Sequence, residues 1–153
     1  MERLTRATRA VLTTSATEFA EAAASAIAAG EASGSASLIA LRADAADIAT
    51  DNGTGVAVRE QLVELIRRNL RGVDVVSFAS ADEVLVLLPG TSADEARYVA
   101  DRLCSAIRNH AFAGLSGERS RVSLTASVGV ASAPEHGKDA YLLTGAARKA
   151  FWV

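Results

Sequence analysis

Apolar and polar positions change rhythm several times along this chain, and each rhythm predicts an element. Up to AEAAASAIAAG the sequence is rich in alanine and free of proline. That predicts one or two helices ending at Gly30, a residue that can supply a left-handed C-terminal cap. EASGSAS is a short polar connection, and SLIALRA is an apolar run of strand length, expected to be buried on both faces. DAADIATDNGTG has the residues of a loop, with Asn52-Gly53 as its turn signal. From Gly55 to Leu70, Val58, Leu62, Leu65, Ile66 and Asn69 recur at helical spacing, with Arg59, Glu60, Arg67 and Arg68 opposite. This predicts an amphipathic helix lying on a sheet.

VDVVSF and VLVLL then flank the polar stretch Ser80-Ala81-Asp82-Glu83, predicting two strands joined by a hairpin. Ser92-Ala93-Asp94-Glu95 has the S-x-x-E capping-box pattern and opens a helix to about Asn109. RVSLTASVGVAS alternates in part and predicts one long strand, and DAYLLTGAARKAFWV a closing helix. The order helix, β, α, β, β, α, β, α, with a hairpin between the central strands, closes most naturally as a ferredoxin-like, split βαβ core of the α/β (α+β) class covered by helices. Residues 1–30 are expected to form an alanine-rich helical segment and 31–153 the rest of one globular domain.

Composition narrows the function classes. A chain of 153 residues closes one core, and with aromatics at 5% that core rests on Leu, Ile and Val. A net charge of −2 argues against nucleic-acid binding, which needs a basic face. Cys104, the single cysteine, excludes a disulfide framework, fits a reducing cytoplasm, and is expected to be a small core residue. MERLTRATRAVL has no long apolar h-region and no apolar run long enough for a membrane span follows, so a soluble, cytoplasmic protein is expected. His110 and His136 have no ligand cluster beside them. Gly53-Thr54-Gly55 is a lone GxG, weak as a phosphate signal, and Trp152 is expected to pack the last helix.

The hairpin SADEV, the strand VSLTASVGVAS and the closing LLTGAARKAFW together resemble the GGDEF domains, the family of diguanylate cyclases that join two GTP molecules into cyclic di-GMP. The similarity runs from about Leu12 to Trp152. It implies that Asp82 and Glu83 stand where the family keeps an acidic pair for its metal ions, and that a partner carboxylate belongs at the end of the first strand. LRAD occupies that place, with Arg42 at the first aspartate position and Asp44 at the second. A guanidinium there would repel a divalent cation. Ser80 and Ala81 replace glycines that allow close phosphate approach, Val56 replaces the aspartate of a Gly-Asp pair, and the guanine-contacting asparagine has no counterpart in DAADIATDNGTG. The sequence ends at Val153, before the positions of a phosphate-binding lysine and arginine. These departures predict a degenerate domain without cyclase activity, without a metal site or Mg2+, and with Asp82 and Glu83 as exposed, solvated hairpin-tip acids.

The resemblance also implies an inhibitory product site, RxxD. Arg71-Gly72-Val73-Asp74 has its spacing to Ser80, and Arg102 holds the position of a second arginine. Arginine offers a planar fork to guanine or phosphate, and aspartate accepts from the guanine N1 and N2 donors. The bland reading is a local ion pair at a helix end. The expected function is a cyclic di-GMP receptor using Arg71, Asp74 and Arg102. The alternative is a ligand-free module that dimerises or docks on a protein partner through its alanine-rich helices, and a third reading is a weak cyclase using Asp82 and Glu83.

Overall fold

The computed structural model describes residues 10–13, 15–33, 35–43, 54–80, 82–114, 117–122 and 124–151. In chain order its elements are β1 (Val11–Leu12), α1 (Ala16–Ser33), β2 (Ala36–Ala43), α2 (Thr54–Arg68), β3 (Val75–Phe78), β4 (Glu83–Leu88), α3 (Ala93–Arg108), β5 (Phe112–Gly114), β6 (Gly117–Val122), β7 (Ala126–Ala133) and α4 (Ala140–Lys149). The main sheet has the order β1-β3-β4-β2-β7. β2 lies between β4 and β7, antiparallel to both, and β4 pairs antiparallel with β3. β2-α2-β3 is therefore a βαβ unit split by β4, and β4-α3-β7 a second one split by β2, which is the expected core. β1 adds a short parallel edge to β3.

Both faces of the sheet are covered, so its strands are apolar on both sides. Ile39 and Leu41 of β2 and Val84, Val86 and Leu88 of β4 meet Val58, Leu62 and Ile66 of α2 and Ala96, Ala100, Leu103 and Ile107 of α3. The alternate residues Leu38, Ala40, Leu85 and Leu87 meet Phe19, Ala23 and Ile27 of α1 and Leu143 and Ala147 of α4. α4 sits so close to β7 that a Cβ at Gly129 would lie 1.9 Å from the Ala147 carbonyl oxygen. Only glycine admits that approach.

Three expectations about elements need correction. α1 continues through Gly30 to Ser33. Its buried stripe of Phe19, Ala23, Ala26 and Ile27 anchors the helix to the sheet, and one interior glycine costs only about 1 kcal/mol against such packing. RVSLTASVGVAS is not one strand. β6 pairs with β5 in a separate two-stranded sheet, while β7 begins at Ala126 in the main sheet. Leu124 lies between them, 1% exposed in the core, and alternation in sequence could not show that the strand changes partner there. The closing helix stops at Lys149, with Ala150 as its C-cap. Of the expected loop 44–55, residues 44–53, including Asp44 and Asn52-Gly53, lie outside the described residues, as do Ala81 and Trp152, while Thr54 and Gly55 already belong to α2.

Candidate functional site

The hairpin end of the sheet is built by β2, β4 and α4. The amides of Ala79 and Ser80 both donate to the Glu83 carbonyl, at 2.9 and 3.4 Å. The Ser80 hydroxyl donates to Asp82 Oδ1 at 2.8 Å, and the Asp82 carbonyl accepts from the Ala43 amide at 2.9 Å, tying the turn to the end of β2. Glu83 opens β4 directly across from Arg42 of β2.

Glu83 is only 4% exposed. Arg148 Nε, from α4, donates to its Oε2 at 2.9 Å and its Oε1 at 3.2 Å, and Arg148 Nη2 also donates to Oε1. Arg42 Nη2 stands 3.7 Å from Oε2, with its guanidinium 4.8 Å from the centre of the Phe151 ring. The hydrogen bond to Glu83 raises the pKa of Arg148 above its usual value, against the opposing pull of desolvation. The expectation of two exposed, solvated tip acids is thus corrected. Asp82 is half-buried and holds Ser80, and Glu83 is a buried carboxylate engaged through both oxygens. A buried carboxylate must be paired, and β-sheet register delivers Arg42 to it while helix packing delivers Arg148. Arg42, Ala79, Ser80, Asp82, Glu83 and Arg148 line a shallow pocket here of about 500 Å³.

The second group of residues lies where α2 gives way to β3. Asn69 and Leu70 unwind the end of α2, and Arg71 to Asp74 forms a tight turn in which the Asp74 amide donates to the Arg71 carbonyl at 3.0 Å. The Asp74 side chain is 2% exposed. Its Oδ2 accepts from the Arg71 backbone amide at 2.8 Å and from Nε at 3.4 Å, and its Oδ1 accepts from Nη2 at 2.8 Å. The same Nη2 donates to the Pro89 carbonyl and to Thr91 Oγ1, both at 2.9 Å. Yet the Arg71 side chain is 55% exposed, so one edge of the guanidinium is held and the rest faces solvent. Arg102 Nη2 donates to the Asn69 carbonyl at 2.6 Å, which brings α3 against the same connection. The structure therefore joins Arg71 to Asp74 directly and sets Arg102 on the residue two positions ahead of Arg71. This is more than the local surface pair of the bland reading, because the aspartate is buried and the arginine ties its own turn to the Pro89–Thr91 segment.

Thr91 links this turn to the sheet interior. Its carbonyl accepts from Ser37 Oγ at 2.8 Å, and Ser37 Oγ lies 2.6 Å from Ser132 Oγ. Ser37 and Ser132 are cross-strand partners of β2 and β7, and both are fully buried. The Ser132 amide in turn donates to His136 Nδ1 at 2.9 Å. Beside Arg71, the capping box of α3 forms as expected: the Ser92 amide donates to Glu95 Oε1 at 3.1 Å and the Glu95 amide to Ser92 Oγ at 3.3 Å. Hydrogen bonding from the Ser92 backbone, and then from its side chain, holds the Glu95 carboxyl below its ordinary pKa, and the Arg71 charge adds to the effect.

Sequence reading missed Arg148 and Thr91. In the sequence Arg148 is one of two basic residues in the last turn of a helix, and only its tertiary partner distinguishes it. Cys104 is half-buried against the core, its Sγ donating to the Ala126 carbonyl at 3.7 Å, and burial pushes its thiol pKa up. His110 packs edge-on against Phe112, with ring centres 4.5 Å apart. Among the described residues, no group of three or more His, Cys, Asp or Glu is placed to hold a metal ion, and no helix is long and apolar enough to cross a membrane.

Solved structures share this fold. The GGDEF domain of YfiN (TpbB) from Pseudomonas aeruginosa matches with a TM-score of 0.78 and 23% identity, over 91% of this chain and 80% of that one. A sensory box/GGDEF family protein from Caulobacter crescentus matches at 0.77 and 21%, over 88% of each chain. The GGDEF domain of DgcB from Caulobacter crescentus, in complex with c-di-GMP, matches at 0.71 and 16%, over 85% of this chain and 78% of that one. Comparison with curated protein sequences finds no match. The family model described as "Diguanylate cyclase, GGDEF domain" covers residues 53–152, from the start of α2 through the hairpin, α3 and β7 to the end of α4. With that match spanning most of the chain and the sheet order agreeing, this protein belongs to the GGDEF-domain family.

Proposed function

We propose that this GGDEF domain does not condense GTP and acts instead as a receptor for cyclic di-GMP. The observation that carries the first half is the Glu83 cluster. Joining two nucleoside triphosphates calls for metal ions that neutralise charge on the phosphoryl oxygens, and such ions take hard oxygen ligands. Here both oxygens of Glu83 already accept from Arg148, and the guanidinium of Arg42 stands 3.7 Å away, where the family resemblance implies a carboxylate. Two guanidinium cations beside one carboxylate do not fit a divalent ion.

The second half draws on Arg71, Asp74 and Arg102. Guanine presents O6 and N7 acceptors to an arginine fork and N1 and N2 donors to a carboxylate. Arg71 is half exposed and can turn its fork outward, which frees Asp74 for the donor edge of a base, while Arg102 supplies a second planar cation on the same connection. Binding of c-di-GMP by the DgcB domain adds support at the level of the family.

Isothermal titration of the nucleotide-free protein with cyclic di-GMP tests the receptor, and a parallel incubation with GTP and magnesium or manganese tests the loss of chemistry. Heat with the dinucleotide, abolished by Arg71→Ala, together with no product from GTP, is the expected result. Formation of cyclic di-GMP from GTP would overturn the first half, and silence in the titration the second.

A second reading, a ligand-free interaction module, is favoured by the groove between α1 and α4. It has a volume of about 820 Å³ and is lined by Phe19, Phe78, Leu85, Tyr141 and Leu142 among others. No heat in the titration, together with concentration-dependent self-association, would select this reading.

A further inference from the structure

α3 begins beside Arg71 and carries Arg102 two turns further on, so the face between these points borders the proposed ligand site. Glu95 marks the near end of that face, since it caps Ser92, the residue after the Thr91 whose hydroxyl accepts from Arg71. Arg102 marks the far end through its bond to the Asn69 carbonyl. Tyr98 stands between them. At 3.6 residues per turn it is rotated by about 60° from Glu95 and about 40° from Arg102, so all three lie on one side of the helix.

The Tyr98 side chain is 78% exposed, and among the described residues it makes no hydrogen bond or ring contact. A single exposed tyrosine is ordinary. This one lies on the helix face that starts near the half-exposed guanidinium of Arg71 and carries the guanidinium of Arg102 four residues along. Two planar cations and an aromatic ring on one rim make a platform for flat heteroaromatic groups, because the ring stacks on a base and a guanidinium can cover its other face.

We propose that Tyr98 is a base-stacking residue of the ligand site formed by Arg71, Asp74 and Arg102. The inference rests on the receptor reading and adds what the ion pairs cannot supply. Arg71 and Asp74 read the edge of a purine, whereas Tyr98 holds its face. The ligand class it selects is therefore a purine nucleotide whose base is unstacked or stacked only on one side, and inorganic phosphate or pyrophosphate would gain nothing from the ring.

Titration of cyclic di-GMP into the wild type and into Tyr98→Phe, Tyr98→Ala and Tyr141→Ala tests this. Tyr141 is 86% exposed on α4, in the groove away from the site, and serves as the control. Stacking predicts that Tyr98→Phe stays within about twofold of the wild type and that Tyr98→Ala weakens binding by about tenfold or more. Tyr141→Ala should bind as the wild type does. Equal affinity in Tyr98→Ala and the wild type would remove the ring from the site while leaving the receptor reading intact. Equal losses in the two alanine variants, or a loss in Tyr98→Ala that tracks a change in self-association by sedimentation, would make the tyrosine a protein contact and overturn the stacking role. Silence of the wild type would end both readings together.

Discussion

Two buried carboxylates stand at opposite ends of this domain, each held by an arginine, and they differ in how the arginine reaches them. Asp74 is held by Arg71, three residues earlier in the chain, and one of its bonds comes from the Arg71 backbone amide. Glu83, on β4, is held by Arg148, 65 residues away on α4, entirely through side chains. The first pair is local, and its arginine also grips Pro89 and Thr91 while keeping half its surface in water. The second pair exists only once the sheet and α4 have assembled. A local pair can open and close again without disturbing the fold, which suits a ligand-exchanging site. A pair made by tertiary packing is part of the fold itself, and opening it would loosen α4 from the hairpin.

Removing the arginines tests that difference. Arg148→Ala should destabilise the most, by about 2–4 kcal/mol, because it strands a buried carboxylate and the Arg148 side chain is itself only half exposed. Urea unfolding measures it, and a loss no greater than that of Arg71→Ala would break the comparison. Arg71→Ala should cost less, about 1–2 kcal/mol, since the backbone amide still serves Asp74. On the proposed receptor reading, its larger effect should be the loss of cyclic di-GMP binding. Arg42→Ala should cost about 0.5 kcal/mol or less, as its contact to Glu83 is long and its side chain is half exposed.

The smallest effect concerns Glu95, which is fully exposed. Its carboxyl pKa is depressed in the fold by the Ser92 bonds, so its contribution is complete above the ordinary carboxylate value and fades as pH falls through the lowered one. The difference in melting temperature between the wild type and Glu95→Ala should therefore be largest near neutral pH and shrink in acid. A difference that grows on acidification would contradict the cap.

Much of the fold was legible because it is written locally. The stripe Val58, Leu62, Leu65 and Ile66 placed α2 on the sheet, Ser92 and Glu95 marked the start of α3, and two apolar runs around a polar tetrapeptide gave β3 and β4. What escaped depends on partners distant in sequence. The break between β6 and β7 follows from which strand each one pairs with, and α1 overrides Gly30 because its apolar stripe is docked on the sheet. The candidate site divided in the same way. Arg71 and Asp74 could be paired from their spacing, whereas Glu83 and Arg148 could not. The family resemblance set Arg42 at the strand end facing the hairpin acids, and strand pairing puts it across from Glu83, but its neighbour from α4 carries no signal in the sequence around it.

β2 connects the two ends. Arg42, near its C-terminus, reaches Glu83, and Ser37, near its N-terminus, holds the Thr91 carbonyl whose hydroxyl steadies Arg71. A slip of one residue along β4 and β7 would turn every β2 side chain to the opposite face. Arg42 would leave the hairpin and Ser37 would leave Thr91 in the same movement. The central strand thus works as a common ruler for two arginine-carboxylate pairs, and whatever fixes its register sets the alignment of the hairpin end and the Arg71–Asp74 end at once.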